Sequence, residues 1–388
     1  MRLADAVAIA GGVVDAETFE DILTPAGAAA AREALSFIRL GTVGRPDGPM
    51  SVEVVKANSM RCRGMRVDGG EASVILIPLG ALARARALAR RFLQHLAHRR
   101  RVRVVGNPVD ERSGWELLPG LVPVYGEYTG NEKNQWDALK AFNQETEADQ
   151  DRDTAANDIM SMCLMYLAMH EMVHLGSRHD KLLHLARAGD PLVPRGISLS
   201  VLRRGLEINA DIMGAITLVK CLIMVAYPPG AKEKGFPIGV SSNGLDAILE
   251  RFSFAATMLF SLYDTHRGVV FDYDNGSYPH PIVRSEHTHE VTLGTLKRFV
   301  PQHFDAARQS VDAGWHAVNE AISELEFAAL QGEYGRPADG NIERCIPVTA
   351  LKYGMPVALM ENRIQMELRL GEIIEWLLRR MNESEGLA

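Results

Sequence analysis

Two histidines four residues apart, set in a long run of helix formers, constrain this chain more than any other feature. The segment Met169-His170-Glu171-Met172-Val173-His174 follows ANDIMSMCLMYLA, which contains neither Gly nor Pro. On a helix, residues four apart lie one turn along the axis and nearly share an azimuth. The imidazoles of His170 and His174 therefore point the same way and can converge on one ion at about 2.0–2.1 Å. Glu171 is rotated away from the ligands, towards the place where a general base would meet water. A pattern this short also recurs by accident, and two core histidines bonded to backbone groups would read the same. A third ligand has to decide.

The spacing of one zinc pattern requires a His at position 180, which is Asp180; His179 falls one residue early, as does Gly176. The better candidate is Leu206-Glu207-Ile208-Asn209-Ala210-Asp211, where Glu207 lies 33 residues beyond His174 on a second apolar helix. Glu207 and Asp211 are four apart on one face. Two carboxylates on an apolar helix are costly unless something positive neutralises them. A zinc ion held by His170, His174 and Glu207 would do so, and Asp211 could accept the free ring N–H of a ligand histidine. Gly205, Ala210, Gly214 and Ala215 are small enough to let this helix come close to the first.

HExxH followed by a helix bearing ExxAD resembles the gluzincin metallopeptidases. The wording HEMVHLGSRH and LEINAD is most similar to HtpX-like peptidases and to the soluble Lit-type phage-exclusion peptidases, over about residues 160–225. The resemblance implies Zn2+ on His170, His174 and Glu207, Glu171 as general base, Asp211 behind the ligands, and a protein or peptide substrate. Further on, Ser277-Tyr278-Pro279-His280-Pro281-Ile282-Val283-Arg284 resembles the His-Pro and Arg that related peptidases carry after the second metal helix. It implies an oxyanion donor at His280 or Tyr278 and a supporting Arg284; a proline-rich turn with an exposed His280 is the plainer alternative. Two other functions share these residues. One is an interaction protein with a structural zinc closed by a fourth ligand such as His179 or Asp180. The other is a zinc hydrolase of a non-peptide amide.

Composition supports a folded, reduced, non-membrane protein. Apolar residues are 47% and charged residues 23% of 388, and the formal charge of −7 disfavours a nucleic-acid coat. Cys62, Cys163, Cys221 and Cys345 form no CxxC pair, and Cys163 reads as a small core residue. Asp5 and Asp15 interrupt the apolar N-terminus, which argues against a signal peptide, and the apolar run Ile212–Tyr227 contains Lys220 and is too short to span a bilayer. The expected location is the cytoplasm. Arg84, Arg86, Arg90, Arg91, Arg99, Arg100, Arg101 and Arg103 cluster in a stretch without acids, which reads as a solvated helix face whose arginines pair with acids elsewhere in the chain or, less simply, as a patch for a nucleic acid or an acidic protein partner.

The expected fold is α+β and mostly helical: a zincin-like catalytic core with a small mixed sheet and a helical C-terminal region. Ala72–Pro78 reads as a buried strand, Leu79 to about His98 as a helix and Val102–Val105 as a further strand. Helices are expected over Glu17–Ile22, Ala28–Ile38, Thr154–Leu175, Leu199 to about Ala226, Leu245–Tyr263, 303–331 and 357–382, with a loop over 268–290. His179, His184, His287 and His289 read as solvated, and Val122–Tyr128 as a candidate specificity segment. The acidic stretch QETEADQDRD at 144–153 suggests a division into residues 1–150, 151–300 and 301–388.

Overall fold

The computed structural model describes residues 1–42, 48–105, 132–144, 150–226, 244–263, 281–330 and 357–384. The expected strand is present as β3 (Ala72–Pro78), buried from Ser73 onwards. It forms the middle of a three-stranded mixed sheet with β1 (Met50–Val55) and β2 (Arg63–Val67), in the order β1-β3-β2. β1 runs parallel to β3 with Met50 opposite Ser73, and β2 runs antiparallel with Gly64 opposite Ile75. β1, with Val52, Val54 and Val55, carries a strand pattern of its own, whereas β2 does not. RGMRV has little β-propensity of its own and is held extended by pairing with β3.

After the short helix α1 (Leu3–Ile9), α2 (Ala16–Thr42) is two helical runs joined at Thr24. Thr24 has φ 68°, its hydroxyl accepts the Gly27 N–H at 3.3 Å, and Pro25 follows as the first residue of the second run. This is an N-cap with proline at N1. α3 (Leu79–Val105) leaves β3 directly and extends through Val102–Val105, so the strand expected there is helix instead. A continuing helix overrides the weak β-preference of three valines.

α4 (Glu132–Gln144) and the central helix α5 (Gln150–Gly176) follow. α5 is buried without a break from Ala156 to His170, because α2, α3, α7 (Leu199–Ala226) and α8 (Gly244–Tyr263) surround it. A helix that is apolar all round has to be enclosed in this way. One apolar cluster runs from Phe19 to Ala321, through β1, β3, α3, α5, α7, α8 and α10 (Phe304–Leu330). Gly314 of α10 lies so close to α8 that an added Cβ would run into the Glu250 carbonyl oxygen. Between α5 and α7 lies the short helix α6 (His179–Ala188), and α9 (Pro281–Phe299) precedes α10.

The last helix, α11 (Val357–Ser384), packs on α7 through a second cluster containing Leu182, Leu202, Leu206, Ile374 and Leu377. Gly205 belongs to this contact: its Cβ would meet Ile374 at 2.6 Å, so it admits α11 and not α5. Among the described residues α7 alone is long and apolar enough to cross a membrane, and half of its apolar window is packed inside the fold.

Two expectations are corrected here. The loop expected over 268–290 is helical from Pro281 on, with proline again at N1. His287 is accordingly buried, and His289 Nε2 lies 3.1 Å from the Asp312 carboxylate. Three of the arginines of α3 are not on a solvated face: Arg84, Arg86 and Arg90 are 4%, 1% and 6% exposed. Arg86 donates to Asn157 Oδ1 (2.7 Å), to the Asn143 carbonyl (2.9 Å) and to Asp153 Oδ1 (2.7 Å). Gly27 makes room for it, since a Cβ there would sit 2.9 Å from Arg86 Nε. Burial pulls the Arg86 guanidinium down to about 10, and Asp153 works against that pull. The side chains of Arg99, Arg100, Arg101 and Arg103 lie outside the described residues, as do Val122–Tyr128 and Cys345.

Arg86 thus ties α3 to α4 and α5 through bonds that only a planar cation with several donors can make. Replacing Arg86 with Leu removes them and leaves Asn143 and Asn157 short of donors. Chemical denaturation should show a loss of about 2–4 kcal/mol. A change below about 0.5 kcal/mol, the range of ordinary surface substitutions, would return this arginine to the solvated face.

Candidate metal centre

The site forms where α5 and α7 cross. Gly214 sets the separation: a Cβ there would lie 3.2 Å from the His170 backbone nitrogen and 3.3 Å from its Cα. At that distance the last turns of α5 present His170 and His174 to Glu207, which α7 carries about two turns before Gly214. His170 Nε2 and His174 Nε2 are 3.0 Å apart. Glu207 Oε2 is 3.4 Å from His170 Nε2, and Oε1 is 3.6 Å from His174 Nε2. The candidate ligand atoms of these three residues lie within 4.8 Å of one another, close enough to hold a metal ion. Bonds of 2.0–2.1 Å in a tetrahedral site require ligand atoms about 3.3 Å apart, and these separations bracket that value.

Behind the two histidines lies a saturated carboxylate. Asp211 is 1% exposed and takes both arms of Arg284, Nε at 2.6 Å and Nη2 at 2.8 Å. The Tyr166 hydroxyl donates to the same Asp211 Oδ1 at 3.2 Å, and His170 Nδ1 lies 2.9 Å from it. Arg284 also stacks over the Phe260 ring at 5.0 Å and comes within 3.8 Å of Glu207. Burial alone would protonate Asp211, but the charge of Arg284 and the bond from His170 hold it below the usual carboxylate range. Burial likewise opposes the charge on Glu207, and the bond and charge of His170 outweigh it, bringing Glu207 down to about 2.

This arrangement tests whether a cation fits. Asp211, being ionised, can only accept, so His170 Nδ1 carries a proton and a neutral His170 turns the Nε2 lone pair inward. That lone pair faces another ring nitrogen at 3.0 Å and a carboxylate at 3.4 Å. Three electron-rich atoms at such distances repel unless a positive charge lies between them. Two imidazoles and one carboxylate suit Zn2+. With no metal, a second proton on His170 serves: burial lowers its affinity for that proton, yet the bonds to Asp211 and Glu207 raise its pKa to about 10.

Glu171 stands beside this group, half-buried, on the same turn as His170. Its Oε2 accepts the Gly64 backbone N–H at 2.6 Å, so the outer strand β2 holds the carboxylate in place. Gly64 allows this close approach, because a Cβ would press on the Leu175 side chain at 3.0 Å and on the Glu171 carbonyl oxygen at 3.1 Å. Asp180 and His184 are exposed, and Cys163 is fully buried with its thiol towards the Ala255 carbonyl at 3.5 Å. Tyr278 and His280 lie outside the described residues.

His179 is the correction at the site. It was expected at the surface, but it is 2% exposed, with Nδ1 2.7 Å from His174 Nδ1 and Nε2 3.2 Å from Asn209 Oδ1. Arg178, at φ 57° and ψ 42°, reverses the chain after α5 and turns the first residue of α6 back onto it. A left-handed arginine gives no sequence signal, so this contact was not readable. Tyr166 was readable, since it lies four residues before His170 on the same helix face. No family model, curated protein or solved structure matches the chain.

These charges predict the acid and alkaline limits of the chelator-treated protein. Glu207 is lowered from 4.5 to about 2, so its contribution is complete above pH 4.5 and is lost as pH falls towards 2. His170 is raised from 6.5 to about 10, so its contribution is complete below pH 6.5 and is lost as pH rises towards 10. Burial holds His179 down to about 3 and His174 below its ordinary value, so these neutral rings cost stability as pH falls below 6.5. Stability from this cluster should therefore peak near pH 6.5, and His170→Gln should flatten the alkaline arm of a urea-unfolding series. An unchanged alkaline arm would contradict the paired arrangement. Separately, Arg284→Met leaves Asp211 buried without its counter-charge and should cost about 3–5 kcal/mol. Wild-type stability in that variant would mean that water reaches Asp211.

Proposed function

We propose that this chain is a zinc-dependent peptidase with a zincin-like core, in which His170, His174 and Glu207 hold the ion and Glu171 is the general base. The observation that carries this reading is the convergence of His170 Nε2, His174 Nε2 and the Glu207 carboxylate within 4.8 Å, with Glu171 on the adjoining face of α5. Zinc in such a site supplies Lewis acidity and lowers the pKa of a coordinated water to about 7.

The chain's own part follows from its contacts. Glu171 Oε2 is engaged by the Gly64 amide, which leaves Oε1 to take a proton from the attacking water and return it to the leaving nitrogen. Asp211 and Arg284 hold His170 in one ring orientation and neutralise each other, so the ligands gain rigidity without adding net charge. α5 and α7 wall the site with apolar side chains, which strengthens every charge interaction inside it. His179 Nδ1 is engaged by the outer nitrogen of His174 and its Nε2 by Asn209, and Asp180 is exposed. Among the described residues neither serves as the fourth protein ligand of a closed structural site, and this favours an open, catalytic one. The likeness of HEMVHLGSRH and LEINAD to Lit-type peptidases supports a protein as the substrate.

Zinc content and digestion of a peptide library, with and without chelator, test the proposal. Wild-type protein should bind one zinc and cleave, and chelation should abolish cleavage. Glu171→Gln should keep its zinc and lose turnover by about 10²–10⁴-fold, the usual worth of a positioned general base. Cleavage by Glu171→Gln at the wild-type rate would remove Glu171 from the role. Zinc bound with no peptide cleaved would turn the reading towards a non-peptide amide or a non-catalytic centre.

A further inference from the structure

His174 can bind a metal through Nε2 only if its single ring proton sits on Nδ1, and the structure contains the parts that decide this. Nδ1 of His174 faces Nδ1 of His179 at 2.7 Å, a contact that holds one proton. The other nitrogen of His179, Nε2, lies 3.2 Å from Asn209 Oδ1. An amide oxygen only accepts, so His179 Nε2 must donate to it. A neutral imidazole with its proton on Nε2 has a bare Nδ1. The proton in the 2.7 Å contact therefore belongs to His174.

We infer that His179 and Asn209 form a relay that fixes the proton of His174 on Nδ1 and so directs its Nε2 lone pair at the metal site. The order runs from Asn209 Oδ1, through His179 Nε2–H and His179 Nδ1, to His174 Nδ1–H and the inward lone pair. Were the Asn209 amide turned the other way, every proton in the chain would reverse. His174 Nε2 would then carry a hydrogen aimed at His170, and the site would lose a ligand. The two ligand histidines thus have different supports: a charged one for His170, through Asp211 and Arg284, and a neutral one for His174.

The neutral support has a consequence for affinity. A second carboxylate behind His174 would make three acids around two histidines, raising the cost of the metal-free state. Asn209, 6% exposed and two residues from Glu207 on α7, fixes the ring by hydrogen bonding alone. His179 spans the gap because the left-handed Arg178 brings the start of α6 against the end of α5. Both are positioning residues. Neither is placed to touch a substrate.

The inference rests on the metal reading, and two measurements on the full chain separate them. In chelator-treated wild-type protein, ¹⁵N chemical shifts of the His174 ring, assigned with His174→Gln, should show the Nδ1–H tautomer, the minor form in free histidine. A proton on Nε2 instead would overturn the relay without reference to zinc. Competition with a zinc chelator should then show His179→Leu and Asn209→Leu binding zinc about 10–100-fold more weakly than wild type. His179→Asn, whose Oδ1 can take the place of the accepting nitrogen, should restore binding to within about threefold of wild type, well short of the 10-fold loss that marks a missing support. Wild-type affinity in His179→Leu would overturn the relay while leaving the metal site standing. No zinc binding by the wild type would overturn both the metal reading and the positioning role. If His179→Leu fails to fold, the tautomer and the His179→Asn affinity decide.

Discussion

An ionised aspartate buried in the crossing of two apolar helices is the constraint around which the rest of this protein is arranged. Asp211 can stay charged at 1% exposure only because Arg284, Tyr166 and His170 supply every contact its oxygens need. Those donors come from two helices, α9 for Arg284 and α5 for Tyr166 and His170, while a third, α7, carries Asp211 itself. The packing of the helices and the satisfaction of the carboxylate are therefore the same event. Gly214 allows it sterically, since any larger residue would hold α7 away from the His170 backbone. What emerges on the open side of the crossing is a pair of imidazoles and a carboxylate with too little positive charge between them.

That deficit links fold to chemistry. A two-histidine, one-glutamate group at these distances is stable with a proton on His170 or with a cation in its midst. The small sheet contributes from the other side. Its outer strand β2 reaches α5 at Gly64 and holds Glu171 by a backbone amide, so the proposed base is fixed by the strand and by its own helix together. A group that must accept a proton and then release it benefits from such anchoring, because its geometry does not have to be rebuilt in each cycle.

How much of this is legible in the sequence depends on how local each relation is. His170, Glu171 and His174 declare themselves because helical spacing alone places them together. Glu207 and Asp211 do so because two carboxylates on an apolar face ask for a counter-charge. The helices α5, α7, α8, α10 and α11 and the strand β3 follow from long uninterrupted patterns, and the mostly helical α+β architecture with them. Relations that cross the fold are not legible. Arg86 looks like a surface charge until Asn143, Asn157 and Asp153 are seen around it. β2 exists because β3 lies beside it. His179 depends on a single left-handed residue, and α9 begins at a proline that also reads as a turn.

The central claim is that one ion is held jointly by α5 and α7. Its most direct test is the position of zinc in crystals of the zinc-loaded protein, located by anomalous scattering at the zinc edge. The account predicts a single peak about 2.0–2.1 Å from His170 Nε2, His174 Nε2 and one oxygen of Glu207, with the remaining position free of protein atoms. A peak ligated by the two histidines while Glu207 points elsewhere, or one closed by a fourth protein ligand, would contradict it.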